Sequence, residues 1–200
     1  MSPGVLTTGV VNDTTLPEQV PESLETTANQ PHEQLFSLRN RLTVVTGGGR
    51  GLGLCLAFAI IEAGGHVACL DVLPEAQQDE WSRLLKKASS SHLTASYHRC
   101  DITNEPQLQE TLEAIEGTAQ SCNATFAGMV ACAGVQQKMP ALDYPMGDFE
   151  RIMRINVTGT FLTVKHAAKI MVKNKTSGSI VMIASMSGQI ANRVCALTKE

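Results

Sequence analysis

The stretch Thr46-Gly47-Gly48-Gly49-Arg50-Gly51-Leu52-Gly53 decides how this chain is read. Residues 41–46 before it are rich in β-branched side chains and read as a strand. Residues 52–63 after it are apolar with a helical period, and Gly64-Gly65 closes them as a helix stop. Glycine lets the backbone turn tightly and come close to a phosphate. The new helix end offers unpaired N–H groups and the positive end of its dipole. A glycine pattern alone is weak, and an ordinary strand–helix turn is the plain alternative. The strand before and the helix after give the pattern its weight.

The same alternation continues along the chain. Residues 66–71 read as a second strand and 74–88 as a helix with Trp81, Leu84, Leu85 and Ala88 on one face. A third strand spans 94–100. Asn104 is placed to cap the next helix, with Pro106 near its start and Leu108, Leu112 and Ile115 facing inward. A fourth strand spans 125–131, a long helix 146–174 with a break near its start, and a fifth strand 178–184. Strands that are apolar without alternation, separated by helices, imply a parallel sheet covered on both faces. Residues 1–37 differ. They are rich in Thr, Pro, Glu, Gln and Asn, and the only charges before Arg39 are acidic. They read as a disordered acidic leader, neither signal nor transit peptide, ahead of one domain over 38–200.

Composition excludes several classes of function. The chain is 43% hydrophobic and 18% charged, with a net charge of −3, so no general affinity for nucleic acid or anionic membrane is expected. No apolar run is long enough to span a bilayer. The six cysteines are scattered, with no CxxC pair and no Cys/His cluster, so no metal site is expected. Free thiols in a reducing compartment, by default the cytosol, are the simplest account.

Asp71 closes the second strand, about twenty residues beyond the glycines, where a carboxylate would accept hydrogen bonds from adenosine ribose hydroxyls. It would repel a 2′-phosphate, which favours NAD over NADP. Arg50 argues the other way, because a guanidinium there would pair with that phosphate. Asp71 is given the greater weight, its alternative being a plain strand terminator.

These blocks resemble the short-chain dehydrogenase/reductase family in its compact single-domain branch, whose glycine spacing is TGxxxGxG. The resemblance spans residues 42–193 and implies a doubly wound parallel sheet of Rossmann type. It places Gly47, Arg50, Gly51, Leu52 and Gly53 at the cofactor phosphates. Cys100-Asp101-Ile102-Thr103 resembles the block whose Asp and following residue contact adenine. Ala131-Cys132-Ala133-Gly134 resembles the family's NNAG, assigning Ala133 and Gly134 to the cofactor. Ala131 and Cys132 stand where asparagines are usual, so the sheet-steadying role of those asparagines is in doubt here. Asn156, in Ile155-Asn156-Val157-Thr158-Gly159, matches the helix asparagine of the catalytic tetrad. Ser185, three residues before Gly188, matches the catalytic serine, with Ser187 as its competitor. A polar helix residue for Asn156 and a simple turn for Ser185 are the bland alternatives.

Together these imply an NAD(P)-dependent oxidoreductase interconverting a secondary alcohol and a ketone, with NAD as the expected cofactor and a small molecule as substrate. The wording of the blocks, including Gly134-Val135-Gln136-Gln137-Lys138, is similar to fungal polyol dehydrogenases of the arabinitol, sorbitol and xylulose-reductase kind. Gln136, Gln137 and Lys138 are candidates for reaching a polar substrate, surface exposure being the plainer account.

The resemblance also implies a proton-donating tyrosine in YxxxK, its pKa lowered by the lysine. Its place falls at Thr198. Neither Tyr97 nor Tyr144 lies in YxxxK, since Asp101 and Asp148 stand four residues on. Lys199 is no substitute, because adjacent side chains do not pair on a helix. The chain therefore reads as truncated after the fifth strand, by a misassigned intron, a premature stop or as a short isoform. That leaves the fifth strand an open edge and the long helix short of a partner. The homo-oligomer expected of the family is not expected of this chain. The alternative to an enzyme is a non-catalytic dinucleotide-binding fragment or pseudoenzyme. A regulatory scaffold using the acidic leader has no positive support.

Overall fold

The computed structural model describes residues 36–188. The leader lies outside them but for its last two residues, and so do Thr198 and Lys199. Within them, strand β1 (Arg41–Thr46) enters the glycines and helix α1 (Gly51–Glu62) leaves. There follow β2 (His66–Asp71), α2 (Gln78–Ser90), β3 (Ala95–Arg99), α3 (Glu105–Ser121) and β4 (Thr125–Ala131). Then come α4 (Met146–Met153), a wide π-type turn (Arg154–Gly159), α5 (Thr160–Lys173) and β5 (Ser179–Met182). The strands form one parallel sheet in the order β3-β2-β1-β4-β5.

The sheet divides two apolar layers. On one face Leu42, Val44, Leu70, Phe126 and Met129 meet Leu108, Leu112 and Ile115 of α3 and Leu162 and Ile170 of α5. On the other, Val45, Val67 and Cys69 meet Leu54, Ala57 and Ile61 of α1 and Leu84 and Ala88 of α2. Neighbours on β1 point to opposite layers, as the strand pleat requires. Burying an aliphatic side chain of this size contributes about 1.5–3 kcal/mol. This two-sided cover explains why β1, β2 and β4 read as apolar runs without alternation.

Two local expectations need correction. The helix expected over 74–88 starts at Gln78, because the chain before it bends back to the glycine turn, where the Gln77 N–H donates to the Gly49 carbonyl at 2.9 Å. Leu85 is exposed, so the buried face of α2 consists of Leu84 and Ala88, with Trp81 half-buried beside Tyr97. Other details hold. The Asn104 side chain accepts from the Gln107 N–H at 3.2 Å, capping α3. Among the described residues β5 pairs with β4 alone, and Val181 and Met182 are exposed. Phe161 and Val157 on the long helix are exposed as well.

Two polar ties join neighbouring elements. Glu105, first residue of α3, accepts from Lys165 Nζ and His166 Nε2 of α5, both at 2.8 Å. Those bonds hold its carboxyl down to about 2. His66, at the start of β2, accepts the Thr94 N–H on Nδ1 at 3.1 Å, with Thr94 Oγ1 at 2.8 Å. Accepting on Nδ1 requires a neutral ring carrying its proton on Nε2. Burial lowers the pKa of both His66 and His98.

A histidine with a folded pKa below its unfolded value of about 6.5 favours folding above that pH and loses the contribution on acidification. The urea midpoint is therefore expected to fall as pH drops from 7 to 5.5. His66→Asn, which keeps an acceptor for Thr94 but no titrating ring, should show a shallower fall. An unchanged slope would overturn the assignment.

Candidate active site

The glycine turn is built by close approach. Gly47 has φ +67° and packs so tightly on Ala133 that a Cβ would sit 2.9 Å from its Cα. A Cβ on Gly53 would run into the Gly47 carbonyl, and one on Gly48 would lie 2.6 Å from Cys69 Cβ. The first turn of α1 has neither a side-chain cap nor an acidic residue. Its N–H groups are thus left to an external acceptor, which suits a pyrophosphate.

Asp71 stands beside this turn. Its Oδ2 accepts the Gly49 N–H at 3.0 Å and its Oδ1 the Leu73 N–H at 3.2 Å. A carboxylate offers about four lone-pair sites, so two remain for a ligand. Asp101 accepts on Oδ1 from the Thr103 N–H at 2.9 Å and the Thr103 hydroxyl at 2.8 Å.

The sheet edge opens into two adjoining cavities. The smaller, about 360 Å³, is lined by Gly47, Arg50, Asp71, Asp101, Ile102 and Arg154, among others. The larger, about 480 Å³, is lined by Leu52, Asn156, Val157, Ile183 and Ser185, among others. Ala133 and Gly134 line both. The cleft lies past the carboxyl ends of the strands, where the order reverses between β1 and β4, the usual place for a ligand in an open α/β sheet.

Of the residues expected at the cofactor, Gly47, Arg50, Leu52, Asp71, Asp101, Ile102, Ala133 and Gly134 border the cleft. Gly51 and Gly53 line neither cavity and shape the turn instead. Ile102 is buried, with its side chain against Gly159, so its backbone is what the cleft can use.

Ser185 and Asn156 share the larger cavity. Ser185 Oγ accepts the Ser187 N–H at 3.1 Å and so keeps its own proton for donation. The Asn156 amide is committed on both sides. Its Oδ1 accepts the Val135 N–H and its Nδ2 donates to the Val135 carbonyl, each at 2.9 Å. It holds the loop after β4 rather than satisfying its own helix.

The departure from the asparagine motif at 131 and 132 is answered by Thr46. Its hydroxyl accepts both the Cys132 and Ala133 N–H at 3.1 Å, a role residue order did not reveal. Gln137 donates to Asp148 Oδ2 at 2.9 Å and accepts from Arg151 at 3.2 Å, fastening its loop to α4. Gln136, Gln137 and Lys138 line neither cavity. Tyr97 is no proton donor, since its hydroxyl donates to the Leu73 carbonyl at 2.8 Å, and burial, then Asp71, pushes it up to about 12. Tyr144 lines neither cavity. Among the described residues no group of three His, Cys, Asp or Glu side chains could hold a metal.

A parallel sheet with a glycine-rich first turn, an acidic residue ending β2 and a cleft at the switch point defines a Rossmann-type α/β protein. Residues 41–197 match the short chain dehydrogenase family, and the chain belongs to that family of NAD(P)-dependent enzymes. It is 38% identical over 160 residues to the short chain dehydrogenases/reductase notP' of Aspergillus versicolor, covering 80% of this chain and 54% of that protein. It is 28% identical over 165 residues to the ribulose-forming D-arabinitol 2-dehydrogenase of Candida tropicalis, covering 78% and 57%. A solved NAD+-bound xylitol dehydrogenase superposes with a TM-score of 0.69 at 27% identity, over 80% of this chain and 58% of that one. The chain spans little more than half the length of these relatives.

Asn156→Ala removes both bonds to Val135 and leaves two backbone groups unpaired, which should cost about 1–3 kcal/mol of stability. Gly53→Ala drives a methyl into the Gly47 carbonyl and should likewise lower stability. Denaturant midpoints measure both. Wild-type values in both would contradict the packing described.

Proposed function

We propose that this chain forms the cofactor-binding part of an oxidoreductase that interconverts a secondary alcohol and a ketone, with a polyol or ketose as substrate and NAD as the preferred cofactor. The observation that carries the reading is the continuous cleft. Asp71 and Arg50, just ahead of α1, border one half, Ser185, Asn156 and Leu52 of the first turn of α1 the other, and they meet at Ala133 and Gly134. A dinucleotide laid across it would have its adenosine by Asp71 and its nicotinamide by Ser185. The polyol assignment is supported by the names of the arabinitol and xylitol dehydrogenases to which the chain is similar.

Each residue has a definable task. Asp71, oriented by two backbone N–H groups, offers its remaining lone pairs to ribose hydroxyls and repels a 2′-phosphate. The nicotinamide, when bound, supplies or accepts the hydride. Ser185 donates a hydrogen bond to the substrate oxygen, where charge develops. Asn156 keeps the loop at Val135 from closing on the cleft. Leu52, Val157 and Ile183 form an apolar wall that limits water. The cytosol belongs to the same proposal, supported by the five described cysteines, all free thiols. No described helix is long and apolar enough to cross a membrane.

A second reading rests on the tyrosines. Tyr97 is committed to Leu73, Tyr144 lies off the cleft, and the sequence holds no YxxxK. On this reading the 200-residue chain binds a dinucleotide without turning over a substrate.

Purified chain is expected to bind NADH more tightly than NADPH in a fluorescence titration, and Asp71→Ala should narrow or reverse the preference. Tighter NADPH binding by the wild type would overturn the role given to Asp71. The same material should show no NAD-dependent oxidation of arabinitol or xylitol above background. Clear turnover would remove the non-catalytic reading.

A further inference from the structure

Arg154 opens the wide turn between α4 and α5 and lines the smaller cavity together with Arg50, Asp71 and Asp101. Apart from Arg50, the other charged side chains around it each hold hydrogen-bond partners within the protein. Arg151 lies 3.6 Å from Asp148 and donates to Gln137. Asp71 holds the Gly49 and Leu73 N–H groups, and Asp101 holds Thr103 twice. Among the described residues, the side chains of Arg154 and Arg50 form no ion pair or hydrogen bond. One cavity thus presents two unpaired guanidiniums from two separate elements, the β1–α1 turn and the π-type turn.

The position of Arg154 follows from that turn. Arg154 and Ile155 line the smaller cavity, while Asn156 and Val157 line the larger. Asn156 is pinned to Val135 by two hydrogen bonds, which fixes the backbone just beyond Arg154. The backbone at Arg154 is thus set by an anchor two residues on, and the planar guanidinium fork loses less entropy for each hydrogen bond it forms than a flexible ammonium would. A guanidinium fork matches phosphate oxygens, and the α1 end leaves its N–H groups to the same anion.

We infer that Arg154 is a dinucleotide-binding residue whose guanidinium contacts the phosphates from the α4–α5 side of the cleft, across from the glycine turn that carries Arg50. This rests on the dinucleotide reading proposed above. It adds a determinant of affinity that lies outside the glycine motif.

The test is titration of the 200-residue chain with NADH and with ADP-ribose, read by the fluorescence of its single tryptophan, Trp81. Arg154→Gln should raise both dissociation constants about tenfold, the loss expected for a charged hydrogen bond. Arg154→Lys, which keeps the charge without the fork, should recover part of it. Arg83→Gln, an equal charge change on α2 away from the cleft, should leave both constants unchanged. Circular dichroism checks that each variant is folded, and if Arg154→Gln is not, Arg154→Lys decides, with a weakening of at least threefold expected. Constants within twofold of wild type in the folded variants, or equal weakening by Arg83→Gln, would overturn the inference while leaving the dinucleotide reading intact. A wild type that binds neither ligand would overturn the dinucleotide reading itself, and the inference with it.

Discussion

The cleft depends on one buried hydroxyl. Thr46 is the last residue of β1, and its oxygen takes the N–H groups of Cys132 and Ala133 just where β4 ends. Parallel strands that separate at their carboxyl ends leave backbone donors without partners, and a buried unpaired donor costs about 1–3 kcal/mol. Thr46 satisfies two of them with one atom. It also holds the Ala133 backbone against Gly47, the contact that leaves no room for a side chain on the glycine. The glycine turn and the loop after β4 are therefore positioned against each other by a residue that belongs to the sheet.

The long helix contributes the opposite wall by departing from regular geometry. An α-helix advances about 100° per residue, which carries side chains round the axis evenly. Across residues 154–159 the wider turn lets two neighbours border the adenosine side and the next two border the side of Ser185. Gly159 completes the turn by lying against Ile102, where a Cβ would approach within 2.7 Å. The buried Thr163 hydroxyl donates to the Gly159 carbonyl at 2.8 Å.

The order and type of the elements were legible in the sequence because each rests on a local signal. The β-branched runs, Gly64-Gly65 and the Asn104 cap all act within a turn or two of chain. Boundaries were less legible where a distant contact intervened. The start of α2 moves to Gln78 because Gln77 is bonded to Gly49, twenty-eight residues upstream. Leu85 looked like core on residue type, yet its neighbour Leu84 takes the buried position. Within the candidate site the glycines and Asp71 stood out by spacing, and Asn156 and Ser185 by the family resemblance. Thr46 did not, since its role is visible only once β4 lies beside β1. Gln137 was a candidate for reaching a substrate, with surface exposure as the plainer account, and its amide is spent on Asp148 and Arg151. A polar side chain in a loop signals that it has a partner without showing which one.

The wide turn also sets what kinds of sequence change this segment can absorb. Thr158, exposed and outside both cavities, can vary in identity. Length can vary as well. A π-type turn advances less per residue than an α-helix, so its six residues carry the chain round about as far as five would in a regular helix. Removing one residue between 154 and 159 would restore regular geometry and leave Leu162, Ala167 and Ile170 in the core layer and His166 beside Glu105. What such a deletion would disturb is the division of Arg154 and Ile155 from Asn156 and Val157 between the two cavities.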